Sequence, residues 1–168
     1  ISVIKDAAVM DRLNALCERG LSPSALGTWL RCPLDFYFRY VLGIRDTDAV
    51  DGLLGSDVLG NAVHSVLQSL LTPTIGQSLT SEQVLRMVPE VHRLLTDELS
   101  NTFPRSVLEQ GHFKLRREMA SSALETYLKA EAERCNAGNT TVLALEMEVQ
   151  ARLQNGVLLK GRLDRIDD

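Results

Sequence analysis

The chain has 168 residues, 45% hydrophobic and 24% charged, with a formal net charge of −4, which suits an ordinary globular domain. The acidic balance excludes a broad basic surface that grips nucleic acid by phosphate contacts alone, but leaves room for a local site where a metal ion supplies the positive charge. No apolar run is long enough to span a bilayer, and the three separated cysteines, Cys17, Cys32 and Cys135, exclude a complete CxxC-type metal site within these residues.

The opening stretch carries Lys5 and Asp6 amid short apolar segments and does not read as a signal peptide. With an odd cysteine count, this fits a reducing cytoplasm. The chain starts at Ile1 and stops inside the strand-like run Arg165-Ile166-Asp167-Asp168, so we read it as an excised part of a larger protein.

Residues 4–19 predict a helix with Val9, Leu13 and Leu16 on one stripe, ended by Gly20. Ser22 is placed to cap a second helix with Pro23 in its first turn, and Leu26, Trp29 and Leu30 are expected on its apolar face. Pro33 opens a further helical run to about Leu42, in which Leu34, Tyr37, Phe38 and Val41 recur at helical spacing. The aromatics from Phe36 to Tyr40 read mainly as core, with stacking on single-stranded bases as the alternative. Residues 45–56 read as a loop.

Ser56 or Asp57 is expected to cap the next helix, whose stripe is Leu59, Val63, Val66, Leu67 and Leu70, closed by Pro73 and Gly76. Thr80 and Gln83 have capping-box spacing for a helix that reaches Leu99, and Pro89 predicts a kink or a break in it. A long helix follows over residues 113–134, with Leu115, Met119, Leu124, Tyr127 and Leu128 expected inward. Residues 136–139 read as a turn.

The period then changes to two. Every odd position from Leu143 to Leu153 is apolar, and Glu146, Glu148, Gln150 and Arg152 stand between them. That alternation predicts a half-buried strand, a turn at Gln154-Asn155-Gly156 and a return strand over residues 157–166. A three-residue loop with Gly156 left-handed pairs Leu153 with Val157 and brings the apolar faces together, whereas a two-residue turn would not. In that register Arg162 falls opposite Glu148, and Asp164 opposite Glu146. Facing carboxylates repel unless a proton or a cation sits between them. Either a divalent ion resolves the conflict, or Arg165 or a nearby lysine neutralises the pair, or strand twist separates it.

Three segments occur together in order: Leu21-Ser22-Pro23-Ser24-Ala25-Leu26 followed by Arg31-Cys32-Pro33-Leu34-Asp35-Phe36-Tyr37-Phe38; then Gly60-Asn61-Ala62-Val63-His64; then Gly161-Arg162-Leu163-Asp164-Arg165-Ile166-Asp167. Each is a common string alone, but their order and spacing resemble the RecB-like and AddB-like branch of the PD-(D/E)XK nucleases. The resemblance runs from about Leu21 to Asp168. It implies an α+β fold of the restriction-endonuclease type, with a helical N-terminal part on an incomplete mixed sheet that begins with the hairpin. Residues 1–20 would be a linker helix from an upstream region, and residues 21–168 the N-terminal part of the nuclease domain.

The resemblance further implies that His64 and Asp164 hold Mg²⁺ or Mn²⁺, with Glu146, or failing it Glu148, as the acid of the preceding strand. The family's (D/E)-x-K motif would stand on a strand beyond Asp168, so these residues alone would be inactive. Cys32 matches the first ligand of an iron–sulfur cluster in some relatives, yet reads here as a small buried residue before a helix-starting proline. The implied function is hydrolysis of DNA phosphodiesters in recombinational repair, beside a helicase or helicase-like region. Arg31, Arg39, Arg45 and Arg162 are candidates for contact with phosphates, with solvated surface as the alternative reading. The alternatives are a non-catalytic DNA-binding or scaffolding module and a purely structural domain with a chance acid pair. Exposed strand edges would favour pairing between chains.

Overall fold

The computed structural model describes residues 3–44 and 54–168. It is an α+β protein, as the sequence predicts. Helix α1 spans Ala7–Arg19, α2 Pro23–Arg31, α3 Pro33–Phe36, α4 Ser56–Leu71, α5 Ser81–Met87, α6 Val91–Ser100, α7 Arg105–Leu108 and α8 Gly111–Ala137. Strand β1 is Ser78–Leu79, β2 Thr140–Arg152 and β3 Leu158–Asp167, in the order β1-β2-β3. The chain divides into two compact units, Ile1–Ala49 with Met147–Leu163, and Val50–Glu146 with Asp164–Asp168.

In the first unit, Asp6 caps α1 and Ser22 caps α2, where its hydroxyl accepts the Ala25 N–H. Gly20 separates the two helices at φ 102°, a left-handed backbone that glycine adopts without steric cost. The small core is Leu16, Ala25, Phe36 and Val41, with Leu13, Leu21, Tyr37 and Tyr40 against it. Phe36 stacks on Tyr40 with centroids 5.3 Å apart, so most of the aromatic run is core, and Phe38 is left exposed. After α3 the chain widens into a π turn over Tyr37–Val41, in which the Leu42 N–H reaches the Tyr37 carbonyl at 3.0 Å. Trp29 and Leu30 are exposed, against expectation. Helix α2 instead buries Ala25 and Thr28, small residues that let it approach closely and turn its bulky side outward.

The hairpin has the register read from its pattern. The Leu153 N–H donates to the Val157 carbonyl at 2.9 Å, the Gly156 N–H donates to the Leu153 carbonyl, and Gly156 sits at φ 87°. Leu21 pairs with Leu159 as an isolated parallel bridge, which covers part of the outer edge of β3.

The second unit holds the larger core. Val66 and Leu71 of α4, Val84 of α5, Leu95 and Leu99 of α6, Leu124 and Leu128 of α8, and Val142 of β2 all belong to it. The Thr80–Gln83 capping box is formed, and Pro89 breaks the helix with a 3₁₀ turn at Val88–Glu90 between α5 and α6. No side chain caps α4; Gly55 stands at its N-cap, so neither Ser56 nor Asp57 has that role. Residues 45–53, including Arg45 and most of the expected loop, lie outside the described residues.

Two burial expectations fail here. On α8 the buried stripe is Arg117, Ala120, Ser121, Leu124, Leu128, Glu131 and Ala132, while Leu115, Met119 and Tyr127 are exposed. The helix turns two charged residues inward, each beside opposite charges: Arg117 pairs with Glu109 and Glu118 through its terminal nitrogens, leaving its buried Nε without a partner, and Glu131 pairs with Arg134 and Arg165. On β2 the buried side chains are Thr140 and Val142, and Leu143 and Met147 are exposed. Strand β1 pairs here, Leu79 with Thr140 and Ser78 with Thr141, and the even face of this end joins the helical core.

Candidate metal centre

Strands β2 and β3 do not keep one register throughout. The hairpin end pairs Leu153 with Val157, but at the other end Thr141 and Asp168 exchange backbone hydrogen bonds. Between these pairs β2 uses one residue more than β3, so β2 contains a bulge. Among the described residues other than glycine, Glu146 alone has a positive φ, 52°. A bulge re-aims the side chain it carries, and Glu146 is the residue re-aimed. A left-handed conformation at a non-glycine residue costs roughly 1–2 kcal/mol and tends to persist where function requires it.

The result is a cluster of three ligand atoms. His64 Nδ1 lies 3.4 Å from Glu146 Oε1 and 3.7 Å from Asp164 Oδ1. One ligand atom from each of the three residues lies within 4.8 Å of the others. All three residues belong to the second unit. Helix α4 supplies the histidine, the β2 bulge supplies one acid and β3 the other. The Glu146 side chain is 9% exposed, while His64 and Asp164 are open to solvent at 46% and 68%. Two carboxylates this close repel one another, and an imidazole nitrogen with two carboxylate oxygens is a donor set that binds divalent cations. The residues therefore fit a divalent metal.

The structure brings together His64, Asp164 and Glu146, and not Glu148. A groove beside the cluster is lined by Leu59, Gly60, Val63, His64, Arg116 and Met119. A Cβ at Gly60 would meet nothing within 4 Å. The bareness of Gly60 leaves the groove open.

Other predicted groups lie elsewhere. Arg31 and Arg39 in the first unit both turn to Asp35, at 3.6 and 2.6 Å, which offsets part of their charge. Arg162 stands on β3 with an exposed side chain. Cys17, Cys32 and Cys135 are free thiols. Cys32 is half-buried rather than buried, and it serves as both the C-cap of α2 and the N-cap of α3.

Arg165 does not neutralise the acid pair. Strand alternation sends it away from Asp164, where it donates to Glu131 at 2.5 Å and to Asp167 at 2.6 Å. Arg134 binds the same two acids at 2.7 and 2.8 Å, which closes a ring of four charges. Burial pushes the Glu131 carboxyl up, but the hydrogen bonds from Arg134 and Arg165 outweigh it and hold the group below its ordinary value. Sequence reasoning missed this ring. Its one signal was Glu131 standing on the stripe of Leu124, Leu128 and Ala132.

The PD-(D/E)XK nuclease superfamily matches residues 20–168, and the protein belongs to that superfamily. Its members are generally nucleases that hydrolyse phosphodiesters, usually with Mg²⁺ or Mn²⁺. No curated protein matches the chain. Among the described residues no helix is long and apolar enough to cross a membrane.

Proposed function

We propose that His64, Glu146 and Asp164 form the metal-holding part of a DNA-hydrolysing site, in a domain of the RecB-like and AddB-like branch. The observation that carries the reading is the convergence of one imidazole and two carboxylates from three separate elements within 4.8 Å. A divalent ion supplies Lewis-acid polarisation of a phosphodiester oxygen and lowers the pKa of water.

The chain's own residues bind and orient. Asp164 and Glu146 provide the negative charge that draws in the cation, and His64 provides a nitrogen ligand in its neutral form. The low exposure of Glu146 limits hydration of its carboxylate. Arg116, at the rim of the groove, donates to the Leu54 carbonyl and keeps a cation beside the path a phosphate backbone would follow. None of the four lysines stands two residues after an acid. The water-activating lysine of the family is therefore not among these residues, and metal binding rather than cleavage is the direct test on this chain. The order of the three segments supports a setting in DNA end processing, with DNA as substrate and a helicase-like region as partner; the odd cysteine count fits a cytoplasmic location.

Calorimetric titration of Mn²⁺ into the wild-type chain and Asp164→Ala tests the reading. Saturable binding that the substitution abolishes is expected. A wild-type chain that binds no Mn²⁺ would leave a scaffolding role in place of a catalytic one.

A further inference from the structure

The ring of Glu131, Arg134, Arg165 and Asp167 is more than a surface network. Glu131 is 6% exposed and Arg165 13%. A carboxylate so buried is costly unless it is fully paired, and this one accepts from two guanidiniums through both of its oxygens. The Arg165 guanidinium is held on several sides, by Glu131, by Asp167 and by the Tyr127 hydroxyl at 3.3 Å. Its backbone neighbour is Asp164, whose carboxylate faces His64. Side chains of consecutive strand residues point to opposite faces, so fixing one side chain by a rigid fork sets the rotation of the strand and the direction of the next.

We infer that Glu131 and Arg165 are positioning residues for the metal centre: their ion pair anchors β3 to α8 and aims Asp164 at His64 and Glu146. The inference rests on the metal-site reading above and extends it to residues that touch neither metal nor substrate. Asp164 needs such a device more than its partners do. It is the most exposed of the three, whereas Glu146 is fixed by its bulge and His64 by the middle of a sixteen-residue helix. Groups behind metal ligands set ligand geometry and typically change metal affinity about 10–100-fold when altered.

The test uses the full chain and Mn²⁺ as the probe. Bound metal is counted from the free-ion electron paramagnetic resonance signal, and far-UV circular dichroism is recorded on the same samples. Glu131→Gln keeps the shape of the side chain but removes its charge and replaces one acceptor oxygen with an N–H donor, and Arg165→Lys keeps the charge but loses the fork. Both are expected to fold and to weaken Mn²⁺ binding by about 10–100-fold. Folded variants that bind like the wild type would overturn the positioning role while Asp164→Ala still abolishes binding. Failure of both variants to fold would overturn it too, because the pair would then be a folding element. A wild-type chain that binds no Mn²⁺ would instead remove the metal centre on which the inference rests.

Discussion

The Nδ1 of His64 stands 3.4 Å from the Oε1 of Glu146, and it does so because Glu146 occupies a left-handed backbone position in the middle of a strand. The contact joins a helix to a bulge, and strain in the strand serves the geometry of the site.

Replacing Glu146 by glycine separates stability from binding. Glycine takes φ 52° without the roughly 1–2 kcal/mol that other residues spend there, although it gives up part of that gain through the freedom of the unfolded chain. Chemical denaturation should find Glu146→Gly within about 1 kcal/mol of wild type, while Mn²⁺ affinity falls at least about tenfold. A large loss of stability would mean that the side chain holds the bulge rather than the bulge the side chain.

His64→Ala should alter metal preference as well as affinity. Imidazole nitrogen contributes more to transition metals, and carboxylate oxygens suit Mg²⁺. Competition titrations should show Mn²⁺ affinity falling further than Mg²⁺ affinity. Equal losses for both ions would contradict direct ligation by the ring.

Glu131 links stability to acid. Its folded value is depressed by Arg134 and Arg165 against the opposing effect of burial. Its contribution is therefore present above the unfolded glutamate value of about pH 4 and is lost as pH falls through the lower folded value. Urea denaturation across that range should show wild type losing stability more steeply than Glu131→Gln. Parallel curves for the two proteins would contradict the pairing.

Gly156 closes the hairpin at φ 87°. Gly156→Ala should destabilise the chain by about 1–2 kcal/mol, read from the denaturation midpoint, and leave Mn²⁺ affinity unchanged, since the turn belongs to the first unit and His64, Glu146 and Asp164 to the second.

Much of this was legible where local chemistry decides the outcome. The Thr80–Gln83 box, the break at Pro89, the caps at Ser22 and Gly20 and the Leu153–Val157 register all follow from residue type and spacing. The trio of His64, Glu146 and Asp164 was legible too, but the path to it was incomplete. A uniform ladder set Glu146 squarely across from Asp164, whereas the protein reaches the same neighbourhood through a bulge that no glycine marks.

Burial was read less well, for one recurring reason. Apolar periodicity assumes that the inward face is the apolar one. Helix α8 turns Arg117 and Glu131 inward beside charged partners, Glu109 and Glu118 for the one and Arg134 and the distant Arg165 for the other, and α2 packs through Ala25 and Thr28 and leaves Trp29 outside. The two-stranded pattern from Leu143 onward named the odd face, but pairing with β1, a two-residue strand too short to announce itself, commits Thr140 and Val142 to the core.

The most direct measurement of the central claim is pulsed electron paramagnetic resonance of Mn²⁺ bound to the wild-type chain. Modulation from one directly coordinated nitrogen, absent in His64→Ala, is the predicted result. Bound Mn²⁺ without nitrogen coupling, or with coupling that survives the substitution, would put the ion somewhere other than His64, Glu146 and Asp164.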